Sequence, residues 1–147
     1  MIRFAKNGAT ILALFIALTG CGPVHILNVK DAPVKTLSGK ELTLEQATKA
    51  IVLAGMGLKW EMDVAAPGHI IGTLNLRGHQ AVVDITYSTK IYSITYKSSQ
   101  NLLWSGTTKQ IKPQDKELSN PYIHRNYNGW IENLDNAIRT QFIAAGP

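Results

Sequence analysis

The sequence predicts an α+β fold: a four-stranded antiparallel meander with two helices packed on one face, in the order αββββα. Three observations predict it. Apolar residues recur every three to four positions in two stretches, 44–54 and 123–142, alternate with polar residues between them, and are divided there by turn residues into four runs. Helices with one apolar stripe and a sheet with one apolar face bury those surfaces only against each other, which gives two layers.

The first helix is predicted to start at Thr43, because Thr43 followed by Gln46 fits a capping box in which each side chain satisfies a backbone donor of the first turn. Leu44, Ala47, Ala50, Ile51 and Ala54 form its stripe, and Gly55 and Gly57 supply the stop. The period then changes to two. Leu58, Trp60, Met62 and Val64 alternate with Lys59, Glu61 and Asp63, and Pro67 with Gly68 makes a turn. Ile70, Gly72, Leu74 and Leu76 continue the apolar face, followed by Ala81, Val83, Ile85 and Tyr87, and then by Tyr92, Ile94 and Tyr96.

Tight loops at Gly78–His79 and Ser88–Thr89 predict a register with Leu74 opposite Val83, Thr73 opposite Asp84, Val83 opposite Ile94 and Asp84 opposite Ser93. Gly72, in the middle of the apolar face, is expected to let a helix approach closely. Residues 98–119 are polar and contain Gly106 and Pro113, so they read as a long surface loop, with Leu102, Leu103 and Trp104 folding back over an end of the core. Asn120 followed by Pro121 predicts the start of the last helix. Its stripe is Ile123, Tyr127, Trp130, Ile131, Leu134, Ile138 and Phe142, and its solvent side carries Arg125, Asn128, Glu132, Asp135 and Arg139. Residues 43–147 are therefore expected to form one domain.

The N-terminus has a different logic. Arg3 and Lys6 precede an apolar run from Ala9 to Leu18, which is shorter than the roughly 20 residues a spanning helix needs. Residues 1–20 therefore read as a secretion signal. Leu18, Thr19, Gly20 and Cys21 resemble the lipobox of bacterial lipoproteins, which implies diacylglycerol on the Cys21 thiol, cleavage before it, and a lipid anchor in the membrane. Gly22 stands where an Asp would signal inner-membrane retention, so the expected address is the outer membrane, facing the periplasm. Residues 21–42, with Pro23, Pro33, Ser38 and Gly39, are expected to be a tether, although alternation over 24–29 leaves open an extra N-terminal edge strand.

Composition agrees with export. Cys21 is the only cysteine, so an exported domain forms no internal disulfide and depends on its core. The formal charge of +5 includes Arg3 and Lys6; removal of residues 1–20 leaves 13 basic and 10 acidic side chains. That balance, without a basic tract, argues against nucleic acid as a partner.

Candidate chemistry is sparse. His25, His69, His79 and His124 have no helical ligand spacing, which argues against a zinc site, and nothing calls for a cofactor. No serine sits on a glycine-framed elbow. Glu61 and Asp84 flank Thr73 in the expected register, about 10 Å apart, and read as a solvated pair. Ile71, Val82 and Ile91 lie among the polar residues of the outer sheet face, which makes Ile71, Thr73, Val82, Asp84, Ile91 and Thr95 a candidate partner-binding face. Asn126, Asn128 and Gly129 are poor helix formers placed together, so they are expected to pin a neighbouring loop near Asn101 or to admit an element close to Gly129.

The run 42–57, the alternating strands through Tyr96, and Ile123, His124, Tyr127, Asn128, Trp130 and Leu134 together resemble a group of small proteobacterial lipoproteins. The resemblance covers nearly all of the mature chain, implies lipidation, and carries over no functional residue. The expectation is a non-catalytic envelope protein that is held to the membrane by Cys21 and binds another envelope component, such as another envelope protein, through its polar sheet face or its long loop. The alternative is a small enzyme or ligand carrier with a site built from His124, Asn126, Asp84 and Glu61.

Overall fold

A computed structural model describes residues 24–102 and 122–145. The expected signal segment, Cys21, Leu103, Trp104, most of the long loop and the Asn120–Pro121 helix start lie outside the described residues.

The fold is α+β, with two helices and an antiparallel sheet among the described residues, but the sheet has five strands, not four. The elements run β1 (Val24–His25), β2 (Val29–Pro33), α1 (Leu44–Gly57), β3 (Glu61–Ala66), β4 (His69–Leu76), β5 (His79–Tyr87), β6 (Ile91–Gln100), β7 (Tyr122–Ile123) and α2 (Asn126–Ala145). The main sheet has the order β2-β6-β5-β4-β3, and β1 pairs with β7 in a separate two-stranded ribbon. The added strand, β2, lies antiparallel to β6 at the sheet edge. Its alternation is masked in the sequence by an irregularity between Val29 and Ala32, where Asp31 takes a φ of +47°, and by Pro33, a residue tolerated only at sheet edges.

Val24 and His25 are already in a strand, within the stretch expected to be a tether. Ile26, Ala32 and Leu42 are all buried there. Asn128 of α2 secures this segment: its Oδ1 accepts the Leu27 N–H at 3.0 Å, and its Nδ2 donates to the His25 carbonyl at 2.8 Å.

Helix α1 carries the expected capping box between Thr43 and Gln46. Its stop differs from expectation. Gly55 lies inside the helix, and a Cβ there would meet the Met62 sulfur at 2.2 Å, so this glycine makes room for the strand side chain. The helix ends instead in a Schellman arrangement: the Lys59 N–H bonds to the Met56 carbonyl, the Trp60 N–H bonds to the Gly55 carbonyl, and Lys59 takes the left-handed conformation at φ +67°. Gly72 likewise admits no helix. Its nearest neighbours are the side chains of Val83, Trp60 and Met62.

The hairpin registers are shifted by two residues from the expected ones. Leu74 faces Ala81 and Thr73 faces Val82, because the turn is Arg77–Gly78, with φ of +51° and +79° as a type I′ turn requires. In the next hairpin Val83 faces Tyr96 and Asp84 faces Thr95. A shift of two preserves every side chain's face, so Ile70, Leu74, Ala81, Val83, Ile85, Tyr92 and Ile94 are buried as expected. β6 also runs on to Gln100, into the expected loop, past a bulge at Val82/Val83 that leaves Lys97 without a cross-strand partner.

Both helices cover this one face. Thr48 of α1 bonds the Tyr87 hydroxyl at 2.8 Å, the Tyr92 ring meets Phe142 edge-on at 5.4 Å, and Tyr96 meets Tyr127 at 5.6 Å. α2 buries Tyr127, Ile131, Leu134, Ile138 and Phe142, the last four each contributing roughly 1.5–3 kcal/mol on burial. Among the described residues, no helix is long and apolar enough to cross a membrane.

Candidate functional site

With both helices on one side, the opposite face of the sheet is left uncovered among the described residues. Cross-strand register sets its rows: Asp63, Ile71, Asp84 and Thr95 form one, and Glu61, Thr73, Val82 and Ser98 form the next. Ile71, Thr73, Val82, Asp84 and Thr95 are half-buried and adjacent to one another, whereas Ile91 stands at the end of β6 opposite Pro33, 45% exposed. The register shift separates Glu61 from Asp84. Glu61 faces Thr73, and the carboxylates flanking a common residue are Asp63 and Asp84, on either side of Ile71.

Asp84 is the electrostatic centre of the face. His69 begins β4 directly after the Pro67–Gly68 turn, one diagonal step from Asp84, and its Nε2 lies 2.8 Å from Asp84 Oδ1. Lys97, displaced by the bulge, reaches from the other side and donates from Nζ to Oδ1 at 2.8 Å and to Oδ2 at 3.1 Å. Partial burial raises the Asp84 carboxyl, but hydrogen bonds and charge from Lys97 and His69 outweigh it and hold the group below the usual carboxylate value. To donate to a carboxylate, His69 must carry its proton on Nε2. A histidine oriented by an aspartate is two-thirds of an acyl-transfer triad, yet among the described residues no hydroxyl or thiol bonds the other ring nitrogen. Nor does any group of three or more His, Cys, Asp or Glu side chains stand close enough to hold a metal among the described residues.

The dispersed set proposed from sequence is not brought together. Glu61 and Asp84 lie on the uncovered face, whereas His124 precedes α2 and Asn126 opens it, on the covered side. His124 instead stacks with His79 at 5.8 Å, and His79 meets Trp130 at 6.4 Å and donates from Nδ1 to the Asn101 carbonyl, 2.6 Å away. The asparagine-rich run pins a neighbour, as expected of it, but the neighbour is residues 25–27, while Asn101 is held separately through its Nδ2 to the Gly78 carbonyl. Gly129 admits no close element among the described residues. It lines an open depression of about 530 Å³ with Val24, Arg125, Asn126, Asn128 and Trp130.

Two features were missed in the sequence. The His69–Lys97 bracket around Asp84 depends on a bulge with no local signal, and the His79–His124 stack joins residues 45 positions apart. Compared with known protein families, curated proteins and solved structures, the chain has no match.

Proposed function

We propose that the chain is a membrane-anchored envelope lipoprotein, tethered through Cys21 to the outer membrane and facing the periplasm, whose domain is a non-catalytic binding module. The observation that carries this is the uncovered sheet face, where the aliphatic residues Ile71, Val82 and Ile91 stand among Thr73, Thr95 and the charge-compensated Asp84. A face of this kind suits a protein partner: the aliphatic groups lose water on docking, and Asp84 meets the partner already neutralised by Lys97 and His69. The incomplete triad and the separation of His124 from Asp84 favour binding over catalysis.

The test is crosslinking in living cells from photoreactive residues at Thr73, Val82 and Thr95, with Arg139, exposed on α2, as control. One envelope protein captured from the three sheet positions and not from Arg139 is the expected result. Capture of nothing specific at any of the three removes the sheet face as the binding surface.

A further inference from the structure

We propose that the end of the domain nearest the anchor rests on the phospholipid headgroup layer, so that the protein is held against the membrane surface by its own fold as well as by its lipid. This rests on the reading of Cys21 as the lipid-carrying residue.

The first argument is length. A tether over residues 21–42 would let the domain range about 70 Å from the bilayer. β1 instead fixes Val24 by pairing with Ile123, and Asn128 fastens the residues that follow. Two residues, Gly22 and Pro23, then separate Cys21 from Val24, a reach of about 10 Å over three Cα–Cα steps, against a headgroup layer roughly 5–8 Å thick. The surface around Val24 therefore lies at the membrane whatever else the domain does.

The second argument is what that surface carries. His25 stacks on Tyr122 at 4.3 Å, His79 stacks on His124, the Asn101 amide holds Gly78, and the His124 N–H bonds the Leu102 carbonyl. These contacts gather residues 24–27, 76–80, 100–102 and 122–130 at one end of the molecule. That set contains Arg77, Arg125, His25, His79 and His124, and no Asp or Glu. Both arginines are exposed, and Tyr122 is 55% exposed although it is a large aromatic. Tyrosine and tryptophan with cations around them are the residues that suit a headgroup layer, where a ring finds apolar glycerol and acyl groups and its polar tip stays wet. Arginine meets lipid phosphate there as a charge-assisted pair. The depression beside Val24, lined by Arg125, Trp130 and the asparagines together with one acidic side chain, Glu132, opens at this same end and is large enough to seat a headgroup. The other end of the domain mixes Lys35, Lys40 and Lys90 with Glu41 and Glu45 and has no such bias.

The test uses the full chain, processed in cells and reconstituted into vesicles of phosphatidylethanolamine with a minority of phosphatidylglycerol. Single substitutions Arg77→Cys, Tyr122→Cys and Arg125→Cys carry a fluorophore, with Thr89→Cys at the far end and Thr73→Cys on the sheet face as references. A nitroxide on the lipid headgroup is the quencher. Quenching several-fold stronger at the three anchor-end positions than at Thr89 is the expected result, and it should fall at Tyr122 when Arg77→Glu and Arg125→Glu are combined. Equal quenching at all positions, or anchor-end labels shielded from lipid by another protein or another stretch of this chain, overturns the proposal. The mass of the N-terminal peptide from the same sample separates the two readings: lipidated Cys21 with no anchor-end quenching sinks the docking alone, and unmodified Cys21 sinks the anchor as well.

Discussion

Replacing Asn128 with alanine should loosen the N-terminal segment while the five-stranded sheet stays folded. The side chain makes two hydrogen bonds to residues 25–27, at 3.0 and 2.8 Å, and β1 has only two residues with which to hold β7. At a net 0.5–1.5 kcal/mol for each bond, the segment loses about 1–3 kcal/mol of local stability, so amide exchange there should accelerate about 5- to 150-fold. Hydrogen exchange resolved to the peptide covering residues 24–30 reads this directly. Asn128→Asp keeps an acceptor for the Leu27 N–H but has no donor for the His25 carbonyl, and should fall between the two. If exchange over residues 24–27 in Asn128→Ala is as slow as in the unsubstituted chain, Asn128 does not hold the segment, and the short-reach argument for the anchor fails with it.

The two helical glycines should respond in opposite directions. Gly129→Ala adds a methyl to open space and should raise stability by about 0.5–1 kcal/mol, whereas Gly55→Ala drives a Cβ into the Met62 side chain and should cost about 1–3 kcal/mol, both measured by denaturant unfolding. Lys59→Gly relieves a left-handed residue at the end of α1, and the thermal midpoint should rise with a gain of about 1 kcal/mol. For Asp84→Asn the expected loss at neutral pH is about 1 kcal/mol or less, since the bracket is partly exposed. The folded carboxyl lies below its unfolded value of about 3.9, so its stabilisation is complete above that pH and is lost as pH falls through the folded value. The stability gap between the original chain and Asp84→Asn should therefore close on acidification, and a gap that widens would contradict the assignment.

Periodicity carried the layers. The stripe Tyr127, Ile131, Leu134, Ile138, Phe142 and the alternating face from Ile70 to Ile94 are buried as the spacing requires. What escaped were features in which backbone geometry overrides composition. β2 hides behind Asp31 and Pro33, and its partner β6 is far away in sequence, so no hairpin turn announces the pairing. Arg77 looks like the last residue of a strand, yet it supplies the first left-handed position of the turn, a conformation normally left to Asn, Asp or Gly. Once that turn is misplaced, every β4–β5 pair moves by two, which leaves the core assignments intact and changes which carboxylates are neighbours. The candidate face was legible as a set of residues because face depends only on parity. The Asp84 bracket was not, since it needs both the true register and the bulge at Lys97. Asn126, Asn128 and Gly129 announced their oddity in a helix, but residue type alone does not say which distant segment an amide will hold.

The central claim is that the chain is anchored by lipid at Cys21, a few residues from a rigid domain. The measurement that tests it most directly is the mass of the N-terminal peptide from protein recovered in the membrane fraction of the cells that make it. The account predicts a peptide that begins at Cys21 and carries diacylglycerol, lost together with membrane attachment in Cys21→Ser. A recovered N-terminus that still includes residues 1–20, or an unmodified Cys21 in membrane-bound protein, would contradict it.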